Sequence, residues 1–249
     1  MHESAGDIAA LQELLDRSYA SAGPHLLRIH TEERRLTAAQ VCERLTGMRL
    51  LTLATVAADG RPLVGPVDGI FYRGSFYFGS SPESVRLRHI RARPQVSATH
   101  LPGEELAVTV HGRAVPVELR AAENAGFRQT LLDVYLPRYG AEWMDFLEIG
   151  QGEGAPQYMR IDAERMYGFS TSASDSADFA QPLREHDVSS DPFTEFATWF
   201  GQAKAAGMRV PEAAALATAS ADGSPSVRMV LVKQTGPPEF AFYSNFESR

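Results

Sequence analysis

The chain has 249 residues, 44% hydrophobic and 22% charged, with a single cysteine and a formal net charge of −7. This is the balance of a globular protein with a sizeable core, and it lacks the cationic surplus that displaces counterions from nucleic acid, so any phosphate it holds must be gripped locally. Cys42 has no partner for an internal disulfide, the opening MHESAGDIAALQE has no basic segment leading into an apolar one, and no run of about 18 apolar residues occurs. A cytoplasmic protein is expected, with neither a nucleic acid nor a membrane as partner.

In chain order, residues 7–19 carry Ile8, Leu11, Leu14 and Leu15 at helical spacing, an amphipathic stripe to be laid on the chain's own domain or on a partner. Thr37-Ala38-Ala39-Gln40 is a capping box opening a second helix, which ends near Gly47 and holds Cys42 as a small buried hydrophobe. The period then changes. Residues 50–57 are aliphatic and β-branched, 58–62 form an Ala-Asp-Gly turn and 63–67 resume an extended segment; 70–72 and 76–78 repeat the strand plan around Arg73-Gly74. A short helix over 82–90 with Ser81 as N-cap follows, then strands at 95–100 and 105–117, a helix over 121–132, and a last strand pair at 158–161 and 165–169. About six strands interrupted by a helix suit a closed or nearly closed antiparallel barrel, in which every edge is paired.

Residues 171–190 are rich in Ser, Asp and Ala and read as a linker. Asp191-Pro192 opens another helix, with Phe193, Phe196, Ala197, Phe200 and Ala203 on one face. The stretch LATVAADGRPLVGPV (53–67) then lies without gaps over LATASADGSPSVRMV (216–230), with nine of fifteen positions identical. After one residue of slippage FYFGS (76–80) matches FAFYS (240–244), and Glu83-Ser84 matches Glu247-Ser248. The order helix, hairpin, aromatic strand and Glu-Ser points to duplication. The second copy is written to Arg249 with one helix and about four strands, and such a half-sheet needs something to pair with it.

The residues Asp191-Pro192-Phe193, ALAT (215–218), DGSPSVRMVLVK (222–233) and FYSNFESR (242–249) closely resemble the N-terminal half of the pyridoxamine 5′-phosphate oxidase family, over about 60 residues. Residues 37–170 are similar to the broader split-barrel proteins that bind flavin or deazaflavin, through Leu53-Ala54-Thr55, Tyr77-Phe78-Gly79-Ser80, residues 84–90 and Arg165-Met166-Tyr167-Gly168-Phe169. The resemblance implies a mainly β, α+β fold: a six-stranded antiparallel split β-barrel over 37–170, after an N-terminal helical extension over 1–36, and a partial second copy over 191–249.

It also implies FMN, or alternatively F420, as cofactor. Arg228 is implied to hold the flavin phosphate and Lys233 the phosphate of a pyridoxine or pyridoxamine substrate, with Met229, Val230 and Leu231 meeting the isoalloxazine edge and Tyr243, Ser244 and Arg249 completing the flavin site. Five residues separate Arg228 from Lys233, which puts them on opposite faces of an ideal strand, so the strand must bend or end nearby for both to serve. In the first copy Gly65 stands in place of Arg228 and Ile70 in place of Lys233, while Ser80, Ser84 and Arg86 remain around a short helix, either as a phosphate site or as part of a solvated basic helix. His100 and His111 read as structural or solvent-facing, and Trp143 and Tyr139 either cover a flavin face or pack in the core. The implied reaction passes a hydride from substrate to flavin and electrons on to oxygen in a homodimer that binds flavin between subunits. No general base is evident. Two other readings stay open: a reductase or oxidase on another small molecule using the first copy, and a flavin-binding module without turnover.

Overall fold

The computed structural model describes residues 2–103, 105–141, 143, 156–171, 188–208, 210–236 and 239–244, without the side chains of 234–236. Its centre is a closed barrel of six antiparallel strands: β1 (Met48–Val56), β2 (Pro62–Tyr72), β3 (Ser75–Ser80), β4 (Gln95–Gly103), β5 (Leu106–Val117) and β6 (Gln157–Ser170), in the order β1-β2-β3-β6-β5-β4. Alternate residues point inward, so Leu51 and Leu53, Phe76 and Phe78, Val96 and Ala98, and Val108 and Val110 meet in one core with Ile161 and Met166. The expected barrel is present, with two boundaries redrawn. Segments 63–67 and 70–72 are one strand, β2, and segments 158–161 and 165–169 are also one, β6. The polar stretch between the latter looks like a turn in sequence. In the fold the register shifts by one between His111 and Gly112, and this bulge absorbs the break. Gly112 is required there, because the Asp162 carbonyl oxygen occupies the space a Cβ would fill.

Helix α1 (Ala5–Ala20) lies on its own barrel. Leu11, Leu14 and Leu15 enter the core, Ser18 Oγ accepts the Met166 amide at 3.0 Å, and the Tyr19 hydroxyl donates to the Gly168 carbonyl at 2.7 Å. A short helix α2 (Pro24–Ile29) leads to α3 (Ala38–Arg44), which has the expected Thr37–Gln40 capping box and buries Cys42. Helix α4 (Val85–Ala92) begins later than expected, with Ser84 rather than Ser81 as N-cap; Ser81 instead closes a turn by accepting the Ser84 amide at 2.9 Å. Helix α5 (Ala125–Tyr139) starts later and runs further than expected, and covers a second cluster in which Phe127 stacks on Tyr77 at 4.0 Å. Trp143 packs on Tyr135 at 4.7 Å in that cluster, whereas Tyr139 is exposed.

Most of the expected linker, 172–187, lies outside the described residues. Beyond it, α6 (Pro192–Ala205) is capped by Asp191, which accepts the amides of Phe193 and Thr194. Its Phe193 and Phe196 rings meet Phe240 of a sheet of order β7-β8-β9, formed by β7 (Ala213–Ala219), β8 (Pro225–Gly236) and β9 (Glu239–Phe242). Three strands stand here among the described residues, against about four expected. Ala197, placed in sequence on the apolar face of α6, is exposed.

The two hairpins share one geometry. Leu53 faces Gly65 and Thr55 faces Leu63 in the first; adding 163 to each number gives Leu216 facing Arg228 and Thr218 facing Ser226 in the second. The turns agree as well: Gly60 and Gly223 have φ of 85° and 81°, and the amides of Arg61 and Ser224 bond to Asp59 and Asp222 at 3.2 and 3.1 Å. The second hairpin lies against the barrel, with β7 and β8 touching β1, β2 and β4; Val227 is 4% exposed and its amide donates to Ser97 Oγ at 3.2 Å.

Candidate functional site

The end of β3 and the start of α4 bring Ser80, Ser84 and Arg86 together. Ser84 caps the helix by accepting the Leu87 amide at 3.1 Å, and its hydroxyl is 3.0 Å from that of Ser80. Arg86 reaches back from the first turn, donating through Nη1 to Ser80 Oγ at 3.4 Å and through Nη2 to the Pro66 carbonyl at 2.8 Å. These partners are neutral oxygens. The guanidinium is partly buried, and desolvation draws its pKa below the ordinary arginine value. A cation taken out of water beside two hydroxyls and a helix N-terminus is suited to an anion, which would restore the electrostatic stabilisation lost with hydration.

Gly65 is the companion of this arrangement. A Cβ at that position would stand 3.2 Å from Arg86 Nη2, so the glycine leaves the room into which the guanidinium folds. Sequence comparison of the copies shows Gly65 only as a missing arginine; its spatial partner, twenty-one residues away, is a tertiary feature. A second contact not found in sequence links Thr55 Oγ1 to His89 Nδ1 at 3.2 Å, tying α4 to β1 beside the site. The equivalent Thr218 is instead bonded by Arg228.

The second set of expected residues lies on β8. Arg228 donates through Nη2 to Thr218 Oγ1 at 3.2 Å, while its Nε is buried without a hydrogen-bond partner among the described residues. A buried donor left unpaired costs free energy, and a phosphate oxygen is a suitable acceptor for it. Met229, Val230 and Leu231 follow along the strand, opposite Ala215, Ala214 and Ala213. Lys233 is exposed, and the β8–β9 register shifts by one between Val232 and Gln234, leaving Lys233 as the extra residue of a bulge. The strand is thus irregular at Lys233, five residues after Arg228. It also corrects the expected correspondence: by pairing, Ile70 matches Gln234, and Lys233 has no counterpart in β2, whose register against β3 is unbroken. Tyr243 is 84% exposed and Ser244 is exposed as well, so neither is held against Arg228 in this structure; Arg249 lies outside the described residues.

The histidines are structural in their contacts. His100 is buried with Nδ1 at 3.0 Å from the Leu50 carbonyl, and His111 lies edge-on to Tyr167 with burial holding its pKa down to about 4. Burial pushes the Cys42 thiol up to about 11, the opposite of what a nucleophile needs. No helix among the described residues is long and apolar enough to cross a membrane.

Comparison with known proteins gives a family, two curated relatives and a solved structure. Residues 37–170 match the family model described as pyridoxamine 5′-phosphate oxidase. The chain is 58% identical over 59 residues to a pyridoxine/pyridoxamine 5′-phosphate oxidase of Erythrobacter litoralis, covering 24% of this chain and 28% of that one. It is 49% identical over 67 residues to the enzyme of the same name from Bordetella petrii, covering 27% and 32%. The chain therefore spans less than a third of the length of these curated relatives. Among solved structures, an FAD-binding protein from Mesorhizobium loti aligns at 26% identity over 56% of this chain and 97% of that chain, with a TM-score of 0.43.

Proposed function

The chain belongs to the pyridoxamine 5′-phosphate oxidase family, and on that premise we propose that it is an FMN-dependent oxidoreductase acting on pyridoxine or pyridoxamine 5′-phosphate, with oxygen as the final electron acceptor. The observation that carries the cofactor assignment is the partly buried Arg86, whose hydrogen bonds go to neutral oxygens beside the two hydroxyls at the start of α4. FMN, when bound, supplies a two-electron acceptor for the hydride leaving C4′ of the substrate. The chain's own residues bind and orient. Arg86, Ser80 and Ser84 grip a phosphate, the partnerless Nε of Arg228 offers a second donor, and the β8 backbone from Met229 to Leu231 presents edge groups to a planar ring. Lys233, exposed at its bulge, offers a point charge for the substrate's phosphate.

One observation favours a second reading. Because β2 has neither the arginine nor the bulged lysine of β8, a site formed by the barrel alone would grip one phosphate through Arg86 without the strand-borne pair of cations. Such a site fits a flavin or F420 reductase on a substrate without phosphate, or a flavin carrier.

The test is the absorbance spectrum of the purified chain, mass spectrometry of what it releases on denaturation, and peroxide formation with pyridoxine 5′-phosphate. FMN released together with peroxide formation supports the oxidase. FMN without turnover, or F420, moves the function to another substrate. A chain that takes up neither cofactor overturns the proposal.

A further inference from the structure

The two hairpins that share a register also touch each other reciprocally. Strand β1 lies against β8, and β2 lies against β7. Under the correspondence of β1 with β7 and β2 with β8, each contact is the image of the other, and the contact between β1 and β7 maps onto itself. An exchange of this kind, in which i meets j and j meets i, is the signature of an isologous, two-fold interface.

We infer that the chain carries an internal pseudo-two-fold pair, in which the second hairpin and the first cover each other on the β1–β2–β4 face of the barrel within a single chain. The contact is closed rather than incidental. Val227 is 4% exposed at its centre, and its amide is satisfied by Ser97 Oγ from β4, a residue with no exposed surface. A partner strand thus brings an apolar side chain and an amide donor to a place where the barrel offers a buried hydroxyl. Strands β7 and β8 in turn find cover for a small sheet that would be unstable alone. This inference does not depend on the oxidase reading. It concerns which chain supplies the second half of a paired assembly.

The experiment uses the full chain with Ser97→Cys and Val227→Cys, whose side-chain oxygen and amide are 3.2 Å apart. Unlabelled and nitrogen-15-labelled preparations are denatured together, refolded, oxidised and digested. The expected result is a linked peptide pair that is all light or all heavy, since both cysteines come from one chain. Mixed light-heavy pairs overturn the inference, because the hairpin then crosses to a second chain. Absence of any link in a double variant that retains the barrel's circular dichroism also overturns it. Hydrogen exchange on the unsubstituted chain is run beside it, so that a double variant that fails to fold leaves a second reading. Exchange across 224–231 as slow as across β1 is expected, and rapid exchange there refutes a closed contact.

Discussion

Arg86 offers the most direct test of the phosphate site. Replacing it with Met keeps the apolar stem along α4 and removes two donors, one to Ser80 Oγ and one to the Pro66 carbonyl. The guanidinium has already lost part of its hydration in the folded protein, so an arriving phosphate finds it desolvated and the bonds it forms are charge-assisted. Hydrogen bonds of that class contribute about 1.5–3 kcal/mol. Arg86→Met should therefore weaken FMN binding by about 10- to 150-fold. The assay is titration of the flavin-stripped chain, followed by flavin fluorescence, with FMN and with riboflavin in parallel. Riboflavin has the same ring and no phosphate, so its affinity should be the same in both proteins. Raising the salt concentration should narrow the FMN difference only in part, because a partly buried pair is less screened than an exposed one. An FMN affinity unchanged by the substitution refutes the assignment. Equal losses for FMN and riboflavin refute it too, since they would show that the arginine shapes the pocket and does not hold the phosphate.

Two further outcomes follow from the packing. Gly112→Ala drives a Cβ into the Asp162 carbonyl across a buried bulge, where neither backbone can yield cheaply, and should cost about 3 kcal/mol in a urea-unfolding series, whereas a loss under 0.5 kcal/mol would mean that the bulge relaxes. His111 is held near a pKa of about 4 by burial, with Arg165 adding to the effect, against about 6.5 in the unfolded chain. Its neutral form therefore contributes stability that is fully present above about pH 6.5 and is lost as pH falls toward about 4. Allowing for partial exposure this is worth about 2 kcal/mol, read as a lower urea midpoint at pH 5 than at pH 7 that His111→Gln flattens. A midpoint that rises on acidification contradicts it.

The barrel was legible because its strands obey local rules. The alternation in 50–57 and the Ala-Asp-Gly turn are short-range signals, and the capping box at Thr37 names its own helix. What was not legible depends on partners distant in sequence. The break within β6 looked like a turn because a bulge is defined by the opposite strand, here at His111 and Gly112. Ser81 and Ser84 are equivalent N-cap candidates for α4 in sequence, and only the fold shows which hydroxyl meets the Leu87 amide. At the site the same limit applies in both directions. Arg86, Ser80 and Ser84 were found together because they lie within seven residues of one another, whereas the room Gly65 gives to Arg86 depends on β2 and α4 meeting in space.

The two hairpins differ by one bulge, and its position decides which groups they present. Aligned by pattern alone, Lys233 falls on Ile70 and reads as a substitution; aligned by hydrogen-bond register, Lys233 is an insertion that β2 never had. An insertion means that the two hairpins present different sets of groups on the same scaffold: a guanidinium from α4 folded over a glycine in one, an arginine on the strand followed by an out-turned lysine in the other. On the oxidase reading two phosphates would need two separated cations, and β8 carries Arg228 and Lys233 on one strand, whereas β2 carries neither and the guanidinium beside it comes from α4.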